Sequence, residues 1–200
     1  MGREEEMIQD IFSTPIYMNR VSNYEKIQKE LERVKGVFDT EIGWDDLWDS
    51  HLITDNKFED NLIEQYNLTT FKDEIRTHVV SYIEQVNGKK TEIDVPYRIT
   101  ASWMTRYDKG HFAVCHEHGF SDMAGVYYYQ TDTKDGDIYF QTPVQAKTTS
   151  FWDARPSTET FPPEQGGIIL FPGWLRHGVQ SNTTDHTRMS VSFNITFTRP

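Results

Sequence analysis

The chain has 200 residues, of which 36% are hydrophobic and 14% aromatic, and it carries a formal net charge of −11. That is the size of one domain with enough apolar side chain to bury a core, so residues 1–200 are read as a single unit. The acidic excess excludes a surface built to collect phosphate backbones or anionic lipid, which needs clustered Lys and Arg, so neither nucleic acid nor a membrane is an expected partner.

The opening Met1–Glu6 is acidic and no long apolar run follows it, which does not read as a secretory signal or transit peptide. The single cysteine, Cys115, cannot close an internal disulfide and agrees with a reducing compartment. Apolar runs such as Ile168–Phe171 fall far short of the roughly 20 residues of a membrane helix. A cytoplasmic location is the expectation.

In chain order, Ile11–Tyr17 predicts a short strand, placed at an edge or bend by Pro15. Ser22 is the predicted cap of a helix reaching about Val37, with Ile27, Leu31 and Val34 at helical spacing. Residues 39–66 hold Trp44, Asp45, Asp46, Trp48 and His51 without a period, which predicts a lid or irregular packing. Thr69 or Thr70 then caps a second helix through Phe71, Ile75, Val79, Ile83 and Val86, with Gly88 past its end.

From Pro96 the texture changes to aromatic and β-branched runs: Tyr97–Tyr107, Met123–Tyr129, Asp137–Gln141, Gly167–Phe171 and Arg188–Phe197. Helices followed by antiparallel strands predict a mainly β α+β fold. Helical support over about 20–90 would brace a sandwich or barrel over about 96–198.

Chemistry gathers at Cys115-His116-Glu117-His118. In an extended chain His116 and His118 point the same way, and Cys115 and Glu117 the other. A third imidazole from His177 would complete one face around a metal and leave the opposite face open. In the last strand Arg188, Ser190, Ser192 and Asn194 share a face; read alone, that is an outer strand with its polar side in water. The separation of His177 and Arg188, about one hairpin's travel, instead allows Arg188 to return to the histidine end. His51, His78, His111 and His186 read as exposed, Cys115 and Trp174 as packing residues, Trp44 and Trp48 as an aromatic wall over the substrate or, equally, a buried staple, and Ser150–Arg155 as another candidate rim.

These motifs resemble the 2-oxoglutarate/Fe(II)-dependent oxygenase superfamily. They are closest to a small bacterial and phage branch marked by H-x-H leading into an S-G-V-Y-Y-like strand, then G-x-x-x-F-P-x-W-x-x-H and R-x-S-x-S-F-N. Here they stand as His116-Glu117-His118, Met123–Tyr129, Gly167–His177 and Arg188–Asn194, with Phe12–Pro15 and Trp103–Gly110 also similar. The resemblance implies a double-stranded β-helix, or jelly-roll, core and a hydroxylase that couples oxidative decarboxylation of 2-oxoglutarate to substrate oxidation. Its cofactors would be Fe(II) and 2-oxoglutarate, with O2 as cosubstrate, acting on prolyl or other amino-acid side chains.

It also implies His116, His118 and His177 as metal ligands, and Arg188 as the partner of the far carboxylate, with Ser190, Asn194 and Tyr127 or Tyr129 beside it. Arg188 suits that role because its planar fork holds a carboxylate by two parallel hydrogen bonds. The commonest family pattern has a carboxylate at position 118, so Glu117 through a bulge, or Asp122, stands as the alternative to three-histidine ligation. Two other readings stay open: a cupin-like three-histidine dioxygenase without 2-oxoglutarate, and a non-catalytic metal- or sugar-binding jelly roll. The substrate, small molecule or polypeptide, and the choice between monomer and homodimer are not legible.

Overall fold

The computed structural model describes residues 13–55, 60–90, 96–143 and 157–198. Among these residues eleven strands form two antiparallel sheets. The larger has the order β1 (Tyr17–Arg20), β9 (Gly167–Pro172), β6 (Met123–Gln130), β11 (Arg188–Phe197), β4 (Tyr97–Tyr107), β3 (His51–Ile53) and β2 (Asp45–Leu47). The smaller has the order β5 (Ala113–His116), β10 (His177–Val179), β7 (Ile138–Gln141) and β8 (Thr158–Phe161). Their arrangement is the expected jelly roll, a sandwich with helices on one side.

Side-chain alternation assigns the layers. On β6, Met123, Tyr127 and Tyr129 pack with the helices, whereas Ala124, Val126 and Tyr128 face the smaller sheet. Both faces of this central strand are covered, which explains its near-continuous apolar sequence. On β11, Met189, Val191, Phe193 and Ile195 join the helix-side core with Ile27, Leu31, Phe71 and Ile75. The even positions Arg188, Ser190 and Ser192 therefore turn inward, between the sheets, rather than to water. Gly125 permits this packing, since a Cβ there would lie 2.3 Å from the Phe193 ring and 2.7 Å from Leu170.

The helices are α1 (Tyr24–Val37), α2 (Leu62–Gln65) and α3 (Thr69–Asn87). Neither predicted cap is used. The Ser22 and Asn23 amides donate to the buried carboxylate of Glu74 on α3, at 3.1 and 2.9 Å. In return the Thr70 and Phe71 amides donate to Glu30 of α1, at 2.9 and 3.1 Å. Each long helix thus has amides at its N-terminal end held by a glutamate of the other, those just before the first turn of α1 and those within the first turn of α3, a charge-assisted arrangement invisible to local cap rules. Gly88 does end α3 in the left-handed conformation, φ 65°.

Three further expectations change. The first strand begins at Tyr17, where the predicted one ended; Pro15 has no N–H to donate, and pairing starts beyond it. Residues 11–12 lie outside the described residues, as does the candidate rim 150–155. The aperiodic segment continues α1 as a π-helical turn, Phe38–Ile42, and then forms the β2–β3 hairpin, which extends the larger sheet through β4. His78 is buried, 4% exposed, with its Nδ1 2.9 Å from the Tyr17 hydroxyl, because it occupies the sheet-facing stripe of α3 with Ile75 and Val79. Among the described residues no helix is long and apolar enough to cross a membrane.

Candidate active site

A cavity of about 230 Å³ opens between the two sheets. His116, His118 and His177 line it at one place and Arg188, Ser190 and Thr105 at another.

The register of β5 against β10 makes His116 and His177 direct cross-strand partners. A bulge on β5 between Ala113 and His116 lets two residues there, Val114 and Cys115, oppose one on β10, Gly178. The strand ends at His116, so His118 is positioned by its loop and not by strand alternation. The His118 amide donates to the Gly173 carbonyl at 2.8 Å, and the Gly173 amide to the Asp122 carbonyl at 3.2 Å. These bonds clamp the loop after His116 to the loop before His177. Only glycine fits at the clamp, since a Cβ on residue 173 would sit 2.1 Å from the Ser121 carbonyl oxygen and 3.0 Å from that of His118.

One nitrogen from each of the three histidines lies within 4.8 Å of the others, a spacing that can hold one metal ion. His116 Nδ1 is 2.8 Å from the Val114 carbonyl and His177 Nδ1 is 2.9 Å from the Leu175 carbonyl. A carbonyl only accepts, so each Nδ1 carries the proton and each Nε2 keeps a lone pair for a metal. Burial, reinforced by the neighbouring His116 ring, pushes His118 down to about 4 and His177 down to about 3. Both rings are therefore neutral, the form that binds metal. Glu117 is exposed and belongs to no three-residue metal group, and Asp122 Oδ2 accepts the Phe197 amide at 2.7 Å. Cys115 points its Sγ at Gln141, 3.5 Å away, and is likewise outside the histidine group.

Arg188 is 1% exposed. Its guanidinium lies 5.0 Å from the Tyr107 ring centroid and 5.2 Å from that of Tyr128. The rings hold it flat but offer no anion, and Nε and Nη1 are buried without a hydrogen-bond partner. The Tyr128 hydroxyl beside it is also buried and unpartnered, and burial pushes that phenol up to about 12, so it remains a donor. Ser190 Oγ is 2.8 Å from Thr105 Oγ1. An unpaired buried cation is costly, and orphaned donors aimed into a cavity define a recess for an anion.

This corrects three residue assignments. Tyr127 and Tyr129 face the helices: Tyr127 packs on Phe71 with a ring separation of 5.1 Å, and Tyr129 donates to Glu32. Alternation turns Tyr128 between the sheets instead, beside Arg188, and the triple-tyrosine run conceals which parity faces inward. Asn194 is six residues beyond Arg188, about 20 Å along a strand, and does not line the cavity. Two other side chains also differ from expectation. His51 is buried, stacked on Tyr107 at 4.9 Å and 17°, and lines the cavity. Trp174 is 50% exposed and not a packing anchor. Trp48 lines the cavity while Trp44 packs on Phe38 and donates to Asp39.

A jelly roll with a three-histidine group and a buried arginine inside one cavity defines the class: a jelly-roll protein with a candidate metal centre and an anion-binding recess. A family model described as "Putative 2OG-Fe(II) oxygenase" matches residues 101–194, which span most of this cavity's walls. Over that stretch the chain is similar to the 2-oxoglutarate/Fe(II) oxygenases. No curated protein matches the sequence. Among solved structures, a 2OG-Fe(II) oxygenase family oxidoreductase from Burkholderia pseudomallei aligns at TM-score 0.59 and 14% identity, over 90% of this chain and 84% of that one. HygX from Streptomyces hygroscopicus, with nickel and 2-oxoglutarate bound, aligns at 0.62 and 12%, over 92% and 82%. The α-ketoglutarate-dependent epimerase SnoN from nogalamycin biosynthesis aligns at 0.63 and 13%, over 92% and 78%. At these identities the likeness is one of fold.

The buried imidazoles fix a pH response of the metal-free protein. His51, pushed down to about 4 chiefly by burial, joins His118 and His177 in holding a folded-state value below the 6.5 of a free imidazole. Below pH 6.5 the unfolded chain binds more protons than the folded one, so stability is full above that pH and falls as pH drops through about 4. Melting temperatures of the metal-free protein measured from pH 7.5 to 4.5 are expected to decline steadily below pH 6.5, and a flat profile would contradict the buried neutral rings.

Proposed function

We propose that this protein is a non-haem Fe(II)- and 2-oxoglutarate-dependent oxygenase acting as a hydroxylase. The observation that carries the reading is the buried, unpaired guanidinium of Arg188 in the same cavity as the three converging histidines. His116, His118 and His177 would hold the iron. The Arg188 fork, with the Tyr128 hydroxyl and Ser190, would take the distal carboxylate of the cosubstrate. When bound, iron and 2-oxoglutarate together supply the O2-dependent oxidative decarboxylation to succinate and CO2 whose oxidising power hydroxylates the substrate.

The chain's own part is to bind, orient and keep dry. Three neutral imidazoles leave the full charge of the metal in place, which favours a dianionic chelate. Val126, Ile138, Phe171 and Val179 give the cavity apolar walls that exclude water from the reacting face. Both competing readings leave Arg188 buried and unpaired, the three-histidine dioxygenase without 2-oxoglutarate as well as the metal- or sugar-binding jelly roll. A cytoplasmic setting belongs to the same proposal, supported by the acidic composition and lone cysteine.

Anaerobic addition of 2-oxoglutarate to the Fe(II)-loaded protein is expected to produce the weak visible charge-transfer absorption of a bidentate keto-acid chelate. Absence of that absorption at saturating 2-oxoglutarate would overturn the proposal.

A further inference from the structure

The described residues include eight large hydrophobic side chains that are exposed: Met18, Ile42, Trp48, Val86, Phe112, Val114, Phe120 and Trp174. Five of these stand on the segments that build the cavity. Phe112 and Val114 flank the start of β5, Phe120 follows His118 by two residues, Trp174 precedes His177 by three, and Trp48 lies in the β2–β3 turn. Trp48 and Val114 line the cavity and are still 79% and 51% exposed. Scattered exposed hydrophobics are ordinary, whereas a set concentrated around one opening marks a contact surface.

Trp48 and Asp49, with φ of 55° and 54°, are the central pair of the tight β2–β3 turn, which the Ser50 amide closes on the Leu47 carbonyl at 3.0 Å. The turn presents the indole at its tip, in solvent, beside the cavity.

Three further observations identify the ligand. At about 230 Å³ the cavity is smaller than the roughly 300–1,000 Å³ of pockets that engulf a drug-sized ligand, and on the oxygenase reading it must also house the cosubstrate. The substrate therefore inserts one group and leaves the rest on the rim. Next, β5 is an edge strand: β10 pairs with one side of it, and among the described residues no strand pairs with the other. An open edge carrying His116 is a template for an extended chain. Last, among the described residues the rim segments carry exposed Asp45, Asp46, Asp49, Glu117 and Asp122 against two exposed cations, Arg176 and Lys109, and Lys109 is paired with Asp185 at 2.9 Å.

We propose that this rim docks an extended, lysine- or arginine-bearing polypeptide segment, paired along the edge of β5, with one aliphatic side chain inserted toward the three histidines. The proposal rests on the oxygenase reading and names the substrate class of that site.

The test uses fluorescence anisotropy on the protein loaded with Mn(II) and 2-oxoglutarate. The probes are two labelled dodecapeptide pools with a central leucine, one flanked by lysines and one by glutamates. The lysine pool is expected to bind about tenfold or more tightly than the glutamate pool, and to weaken on raising NaCl to about 0.5 M. Phe120→Ser and Trp174→Ala are each expected to weaken it about fivefold or more while leaving the melting temperature and 2-oxoglutarate affinity near wild type.

Equal binding of the two pools, no binding at millimolar peptide, or no effect of the rim substitutions would overturn the proposal. A dimer in sedimentation velocity that Phe120→Ser dissociates would also overturn it, by assigning the rim to self-association. Retained 2-oxoglutarate binding with no peptide binding would sink only the docking surface. Loss of 2-oxoglutarate binding by the unmodified protein would sink the oxygenase reading itself.

Discussion

Arg188→Met is expected to raise the melting temperature of the metal-free protein while weakening 2-oxoglutarate binding by about a hundredfold or more. The two effects have one cause. The guanidinium is 1% exposed, with two nitrogens unpartnered, so the free protein bears the desolvation cost of a cation that only the ligand's carboxylate relieves. Methionine fills similar volume without that cost, and such replacements have stabilised other proteins by roughly 1–4 kcal/mol. For a domain of this size that is a rise of several degrees, about 2–4 °C per kcal/mol. Removing one partner of a buried charge pair costs about 2–5 kcal/mol of binding, or roughly thirtyfold to several thousandfold. Differential scanning calorimetry and equilibrium dialysis of 2-oxoglutarate measure the two. A variant that melts lower and binds normally would mean that Arg188 serves the fold. Tyr128→Phe should lose about tenfold in 2-oxoglutarate affinity, as expected for one hydrogen bond to a charged group, while Tyr127→Phe should not change it.

His118→Ala is expected to reduce metal affinity by about a hundredfold or more, at least the loss seen when even an outer partner of a metal ligand is removed. Glu117→Gln should leave the affinity within about twofold of wild type, because Glu117 is exposed and outside the three-histidine group. Competition against a fluorescent zinc chelator reads both. The opposite order of effects would establish a two-histidine, one-carboxylate centre. The Gly173 clamp explains how a histidine beyond the end of β5 reaches the group, since its bonds draw the His118 loop onto the strand connection that leads to His177.

Much of this was legible because the relevant signals are local. Tyr97–Tyr107 and Arg188–Phe197 are strands within the predicted bounds, since β-branched and aromatic alternation over ten residues has one reading. The H-x-H spacing and the Arg188–Ser190–Ser192 face were equally visible. What stayed hidden depends on partners distant in sequence. Glu74 and Glu30 cap helices on which they do not lie, so Ser22, Thr69 and Thr70 drew the cap prediction in vain. His51 and His78 looked like surface residues until β4 and Tyr17 covered them. Tyr127, Tyr128 and Tyr129 are chemically identical, so only the packing of α1 and α3 decides which of them turns between the sheets toward Arg188.

The central claim is that three imidazoles and one buried guanidinium serve a single chelated keto acid. A crystal structure of the protein grown anaerobically with Mn(II) and 2-oxoglutarate tests it most directly. The account predicts the metal on Nε2 of His116, His118 and His177, with the keto acid's far carboxylate on Arg188 and the Tyr128 hydroxyl. Metal bound instead at the second acidic-histidine cluster, Asp132, Asp135 and His186, with Arg188 still unpaired, would contradict it.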